Sequence, residues 1–427
     1  MSSNNKKNVL VFPCGAENAL EIYESLRYSI HVNIYGASSV EDYGRLKYEK
    51  YIGNLPNISD ACFDEEFEKL INENNIDIVF GTHDTVQSYL SENSDKFNCY
   101  IVNNDKKTTK ISRSKYLTYR KFSNKPWIPH TYSIEAKINN WPVVCKPDYG
   151  QGAKGVAICK DEKQLCSAYE DTDNPVVVEY LPGREITVDC FTDRNRKLLW
   201  IGPRSRENVK AGITMRSEKL KITSEIEKIA NDINEGLVFR GPWFFQLKED
   251  HKGKWKLLEI SCRMAGTMVA QRAWGVNLAL MTVQDYMDRD LVTISNDYVR
   301  LIERSLISKY ELEYQFDKVF IDFDDTIIIG GKVVPIAAAF IFEMIKSDKE
   351  VILITRHEYD IYKTLDDVGL SHKIFSKILH INNDESKSDY ITNNSIFIDN
   401  HFIERYEVHT KHNIPVFDVD ALGYFVR

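Results

Sequence analysis

The sequence predicts a multidomain protein that combines α/β and α+β architecture. Three observations carry that expectation. Strand-like and helix-like runs alternate over residues 8 to about 105. From Trp141 to about Phe245 the pattern changes to strands and hairpins. Composition shifts again near residues 311–318, and Val319-Phe-Ile321 opens a second alternating unit. Strands that alternate with helices imply a parallel sheet. The expected domains are therefore 1–107, 108–314 and 315–427.

In the first stretch, Val9-Leu-Val-Phe12 reads as a strand, and Ala16 to Arg27 has helical apolar spacing. His31 to Tyr35 is a strand, Phe63 to Asn72 a helix, Ile76 to Phe80 a strand, and Tyr100-Ile-Val102 closes the set. Lys115 to Phe122 is helical, and Lys125-Pro126-Trp127-Ile128-Pro129 breaks it. In the middle stretch, Val176 to Gly183 is a buried strand ending in a turn. Ile186–Phe191 and Lys197–Ile201 read as a hairpin, and Ser224 to Leu237 as a helix. Trp243-Phe-Phe-Gln246-Leu and Trp255-Lys-Leu-Leu-Glu259-Ile260 are two more strands. The last stretch continues through a helix at Ile336–Ser347, a strand at Val351–Ile354, a mixed segment and a strand at Ser395–Ile398.

Composition narrows the function classes. The 427 residues are 43% hydrophobic and 28% charged, as in ordinary globular proteins of two or three domains. A net charge of −8 opposes a nucleic-acid-binding surface. No apolar run approaches the roughly 20 residues of a membrane helix, and Val9–Phe12 is too short for a signal-peptide core. The eight cysteines form no C-x-x-C pair, which fits a reducing cytoplasm.

The most informative stretch runs from Val144 to Val156. A hydrophobic strand delivers Lys146, a loop carries Gly150, Gly152 and Gly155, and a β-branched run follows. Glycines allow positive φ and close backbone approach, so successive amides can face an anion. The spacing also fits a dinucleotide fingerprint, but that motif needs a helix after its last glycine. The lysine precedes the glycines, which excludes a Walker loop. The expectation is the tip of a β-hairpin lying over a polyphosphate. Further along, Gln246 and Glu259 fall on two adjacent strands, where hard oxygen ligands suit Mg²⁺. Arg263 follows four residues later and could steady a transferring phosphoryl group.

In this ordered set the chain resembles the ATP-grasp superfamily, especially its carbamoyl-phosphate-synthetase-like branch of carboxylate–amine ligases. The resemblance covers roughly residues 8–310 and implies a Rossmann-like domain preceding an ATP-grasp fold, with a lid at about 140–183. It implies that Lys115 and Lys146 contact ATP phosphates under a lid of Gly150, Gly152 and Gly155. Glu179, Tyr180 and Leu181 would hold adenine, and Glu185 the ribose. Gln246 and Glu259 would bind Mg²⁺, with Mn²⁺ as an alternative, and Arg263 would steady the phosphoryl. Ser261 stands where the family has asparagine on a second metal, and serine is the weaker ligand. The chemistry implied is phosphorylation of a carboxylate, then attack by an amine. Arg204 or Arg216, in the basic runs Pro203–Arg206 and Lys210–Arg216, would meet the carboxylate or acylphosphate; a solvated basic loop is the alternative. Dimers are common in this family, which implies a homodimer.

Residues 319–326 place Asp322 and Asp324 two apart after a buried strand, where an open sheet puts its site. A carboxylate nucleophile beside a second carboxylate, with Mg²⁺ compensating both, suits phosphoryl chemistry. Thr355 and Asp399 end two later strands. This part resembles the haloacid-dehalogenase-like superfamily (HAD-like) over roughly residues 316–427. The resemblance implies nucleophile Asp322, acid/base Asp324, phosphate contact Thr355 and metal ligands Asp322, Asp324 and Asp399. Lys387 is the implied phosphate-binding lysine, with Lys377 the runner-up. Only 28 residues separate Thr326 from Thr355 and 43 separate Thr355 from Asp399, which leaves no room for a cap domain. The leading expectation is a bifunctional enzyme, an ATP-dependent ligase of small-molecule carboxylates and amines fused to a phosphomonoesterase acting on a phosphorylated small molecule or conjugate. A ligase or kinase-like enzyme with a silent C-terminal domain, and a nucleotide-binding regulatory or scaffold protein with two degenerate sites, are the alternatives.

Overall fold

A computed structural model describes residues 6–426, apart from 136, 151, 153, 211, 297–298 and 306–311. Gln151 and Ala153 of the glycine loop, Ala211 of the second basic run and the first residue of the 311–318 boundary segment thus lie outside the described residues. The chain divides into two compact units, Met1–Ser305 and Leu306–Arg427.

The first unit begins with a five-stranded parallel sheet in the order Lys50–Ile52, Val32–Ala37, Lys7–Phe12, Ile78–Gly81, Tyr100–Ile101. Its central strand is an unbroken apolar run because both faces are covered. Val9 and Val11 pack with Ile22 and Leu26 on one side. Leu10 and Phe12 pack with Phe63 and Phe67 on the other. The strand Ile78–Gly81 ends at the sheet's C-terminal edge, and the helix Asp84–Glu92 starts three residues later. Asp84 is thereby delivered to the edge where open sheets bind ligands.

Two antiparallel four-stranded sheets follow. One has the order Leu198–Ser205, Glu185–Thr192, Gly241–Glu249, Trp255–Ser261. Its inward residues Trp243, Phe245 and Leu247 are fully buried with Ile226, Ile229 and Ile233 of the helix Ser224–Gly236. Thr223 caps that helix by accepting from the Ile226 amide. The other sheet has the order Thr131–Tyr132, Pro175–Glu179, Val143–Pro147, Ala157–Cys159. Cys145 pairs with Ala157 across the last two strands, so the glycine loop is a hairpin tip as its sequence implied.

The basic runs are not a solvated loop. Arg204 lies inside the strand Leu198–Ser205, and Arg216 inside Ile213–Glu218 of a three-stranded sheet with Glu207–Lys210 and Leu301–Glu303. Strand pairing to Glu185–Thr192 carries through Gly202 and Pro203.

The second unit holds a parallel sheet in the order Lys377–His380, Glu350–Thr355, Lys318–Ile321, Ser395–Ile398, Val416–Phe417. Val319, Ile321, Leu353, Ile396 and Ile398 are fully buried. The mixed segment of the sequence reading contains the edge strand Lys377–His380. Between Thr326 and Thr355 lie a small hairpin and the helix Pro335–Lys346.

Candidate active site

In the first unit one row of residues crosses the antiparallel sheet. Strand register pairs Arg204 with Thr187, Thr187 with Gln246, and Gln246 with Glu259. Directly opposed residues on neighbouring strands share a face and stand about 5 Å apart. All four line a cleft of about 480 Å³. Gln246 and Glu259 offer two hard oxygens side by side. That donor set fits Mg²⁺, which takes few protein ligands and completes its octahedron with water and phosphate oxygens. Among the described residues no cluster of three His, Cys, Asp or Glu could hold an ion unaided.

The glycine loop and Lys115 close one wall of this cleft. Ser114 caps the helix Lys115–Lys121, and its hydroxyl also donates to Asp148 at 2.7 Å. Lys115 Nζ donates to the carbonyls of Asp148 and Gly150, both at 3.2 Å. The lysine is thus pinned to the loop it would share with phosphates. Gly152 and Gly155 have φ of +58° and +73°. A Cβ on Gly212 would lie 2.4 Å from the Cα of Gly152, so hairpin and loop backbones meet across the cleft where no side chain fits.

Lys146 stands behind this wall, 6% exposed, donating to the Tyr119 hydroxyl at 2.8 Å. The Tyr119 hydroxyl in turn donates a hydrogen bond to the Leu258 carbonyl. Burial, joined by the charge of Lys115, pushes the Lys146 ammonium down to about 7. Burial also pulls Lys115 below the ordinary lysine value, with Glu259 opposing it.

Arg263 is held by a residue that the sequence reading missed. Its Nε and Nη2 donate to the two oxygens of Asp84 at 3.0 and 2.8 Å. Ser261 Oγ donates to the same carboxylate at 2.7 Å. Burial alone would raise the Asp84 carboxyl, but Arg263 and the hydrogen bonds outweigh it and hold it at about 2. Ser261 is therefore tied to an acid at the start of the helix Asp84–Glu92. Position at the end of the strand Ile78–Gly81 was the available clue.

The cleft brings together Lys115, Gly150, Gly152, Arg204, Gln246, Glu259, Ser261 and Arg263. Lys146, Gly155, Glu179, Tyr180, Leu181, Glu185 and Arg216 are not in its lining. Glu179 accepts from the His130 amide at 2.8 Å. Glu185 pairs with Arg206 at 2.7 Å. Arg216 is spent on Glu207, Glu218 and Glu303. Arg204 is 1% exposed and pairs through Nε with Asp189 at 2.7 Å, so its charge is offset inside the fold.

In the second unit Asp322, Thr355 and Asp399 sit at or just beyond the C-terminal ends of three adjacent strands. Lys387, 4% exposed, donates to Asp322 and to Asp399, each at 2.7 Å. Burial raises the Asp322 carboxyl despite the lysine, whereas the two acids hold the lysine above its ordinary value. Lys377, by contrast, is exposed at the start of an edge strand. Asp324 is paired with His357 Nδ1, which lies 3.0 Å from its carboxylate oxygens. His357 Nε2 meets Thr364 Oγ1 at 2.8 Å. The Thr355-Arg-His357 run gave no indication of this contact beforehand.

Comparison with known proteins matches residues 171–304 to a family described as ATP-grasp in the biosynthetic pathway with Ter operon. The carbamoyl phosphate synthase large chain of Clostridium botulinum is 42% identical over 65 residues, which is 14% of this chain and 6% of that one. The chain thus matches only a small part of that relative's length. The biotin carboxylase domain of the Hydrogenobacter thermophilus 2-oxoglutarate carboxylase, solved with MgADP and bicarbonate, is similar with a TM-score of 0.56. The identity is 14%, over 67% of this chain and 70% of that chain. An L-amino acid ligase from Bacillus licheniformis is similar with a TM-score of 0.53 and 17% identity, over 66% of this chain and 74% of that one. At such identities the structural likeness carries the fold alone. With the family match, it establishes an ATP-grasp domain in this chain.

Proposed function

We propose that the first unit is an ATP-dependent carboxylate–amine ligase that works through an acylphosphate. The observation that carries this reading is the row Gln246–Glu259 facing Lys115 and the glycine loop in one cleft with Arg263. A carboxylate oxygen attacks the γ-phosphorus, and the bond to the bridging oxygen breaks to leave ADP. The amine nitrogen then attacks the acyl carbon, loses a proton, and phosphate departs. Such a reaction asks a protein chiefly to position reactants and neutralise charge. Lys115 and Lys146 would offset phosphate charge, and loop amides would lie over it. Gln246 and Glu259 would hold Mg²⁺, which supplies further neutralisation; the MgADP of the Hydrogenobacter structure supports this. Arg263, kept in place by Asp84, would steady the transferred phosphoryl.

Purified protein is expected to release ADP from ATP only when a carboxylate and an amine are supplied together. Release of AMP would refute the acylphosphate route. Glu259→Gln should remove the activity through lost metal binding.

The second unit carries its own reading as a phosphomonoesterase with Asp322 as nucleophile. Its support is Lys387 bridging two buried carboxylates beside Thr355. Asp322→Asn should abolish hydrolysis of p-nitrophenyl phosphate and leave ligation intact. Hydrolysis that survives this change would leave the second unit without that role.

A further inference from the structure

Buried polar atoms in folded proteins are almost always hydrogen-bonded, because an unmatched one costs about 1–3 kcal/mol. Five exceptions belong to residues lining the same cleft: Ser112 Oγ, Arg206 Nε (which lies 2.7 Å from Glu185) and three more. Arg204 Nη1, Thr187 Oγ1 and Thr214 Oγ1 have no partner among the described residues. Their residues are 1%, 0% and 2% exposed. Packing does not explain them: the other edge of the Arg204 guanidinium is fully used, with Nε and Nη2 on Asp189. Asp189 is itself fixed by Gln271 Nε2 at 2.8 Å. The arginine is therefore held rigidly with one nitrogen left over. These residues line the cleft, and a ligand rich in acceptor oxygens would match their two N–H groups and two hydroxyls.

Position separates Arg204 from the reacting centre, with Thr187 between them. Arg204 and Gln246 are two strands apart in the row, a backbone spacing of about 10 Å. The phosphoryl and the carboxylate it activates belong at the Gln246, Glu259 and Arg263 end. An anion at Arg204 is then a second group on the substrate.

We propose that Arg204, Thr187 and Thr214 form a subsite for a non-reacting carboxylate of a substrate, which restricts the enzyme to substrates carrying one. The inference rests on the ligase reading of the same cleft. The carboxylate belongs either to a dicarboxylic acyl donor or to an amino acid serving as the amine.

The test compares matched substrates in the ADP-release assay and by calorimetry in the presence of MgADP. Succinate, glutarate and adipate are set against butyrate, valerate and hexanoate as donors, and alanine against alaninamide as the amine. In one of the two sets the carboxylate-bearing member should have a kcat/KM at least tenfold higher. Thr187→Val with Thr214→Val should shrink that preference at least tenfold, chiefly through KM. An ADP-induced rise in Tm reports that the variant is folded. Should it fail to fold, Arg204→Lys removes Nη1 while keeping the charge and is expected to lose the same preference. Equal kcat/KM within both sets, with ADP still released, overturns the subsite and leaves the ligase reading standing. Carboxylate binding that the valine or lysine variants lose, without ADP release for any pair, supports the subsite and overturns the ligase reading. Neither binding nor preference overturns the subsite.

Discussion

Two lysines of this chain are buried almost equally and stand in opposite surroundings. Lys146 in the first unit is 6% exposed and Lys387 in the second is 4% exposed. Lys146 has a neutral tyrosine as its partner and the like charge of Lys115 nearby, and its ammonium is pushed down to about 7. Lys387 has two carboxylates at 2.7 Å and is held above its ordinary value. At the first site the carboxylates of Glu259 and Glu185 only partly oppose that shift. The second is already neutralised from within. Burial alone therefore says little about what a lysine does; the sign of the charges around it decides.

The largest expected effect breaks the second site. Lys387→Met leaves Asp322 and Asp399 buried without their cation, which typically costs about 3–5 kcal/mol. Urea denaturation should show that loss. An unchanged midpoint would mean that the pair is not compensated by this lysine.

Lys146→Met should have the opposite sign. A protonated Lys146 is disfavoured in the fold, and below pH 7 it is protonated both folded and unfolded, so the cost is fully present. As pH rises from about 7 toward the ordinary lysine value, the folded lysine sheds its proton and the cost disappears. The variant should therefore be more stable than the parent at and below pH 7, by about 1–3 kcal/mol after relaxation. The difference should close by about pH 10. Thermal unfolding across that range checks both the sign and the window.

Nucleotide binding sharpens the same contrast. On the ligase reading, phosphates near Lys146 would restore its proton, so ADP binding at pH 8 should take up close to one proton. Affinity should fall as pH rises above about 7, by up to about tenfold per unit. Calorimetry in two buffers of different ionisation enthalpy measures the uptake, and Lys146→Met should abolish it.

The smallest effect concerns Asp84. Asp84→Asn removes the charged partner of Arg263 and should cost about 1–2 kcal/mol in kcat/KM for ligation, about tenfold. In a double-mutant cycle with Arg263→Lys the two losses should not add. Strict additivity would show that Asp84 does not act through Arg263.

Sequence order alone was enough to place Gln246 beside Glu259. The two apolar runs are separated by a short polar stretch from Asp250 to Lys254, and a hairpin is the local outcome. The glycine loop was legible for the same reason, since Val143–Pro147 and Ala157–Cys159 pair across it. Asp84 was not legible: it meets Arg263 across 179 positions, and no local pattern encodes such a contact. The burial of Arg204 was not legible either, since a solvated basic loop was the alternative reading of its run. Only its buried partner Asp189 makes an interior position tolerable.

By itself, then, the sequence determined the elements, the hairpins and the kinds of chemical group at their ends. Those follow from apolar periodicity and from glycine's freedom at positive φ, which act over a few residues. The tertiary structure alone decided which charges meet. It joined Asp84 to Arg263, left Arg204 with one unmatched nitrogen, and surrounded Lys146 and Lys387 so differently. Electrostatic interaction depends on distance and desolvation in space, and neither is written in the spacing along a chain.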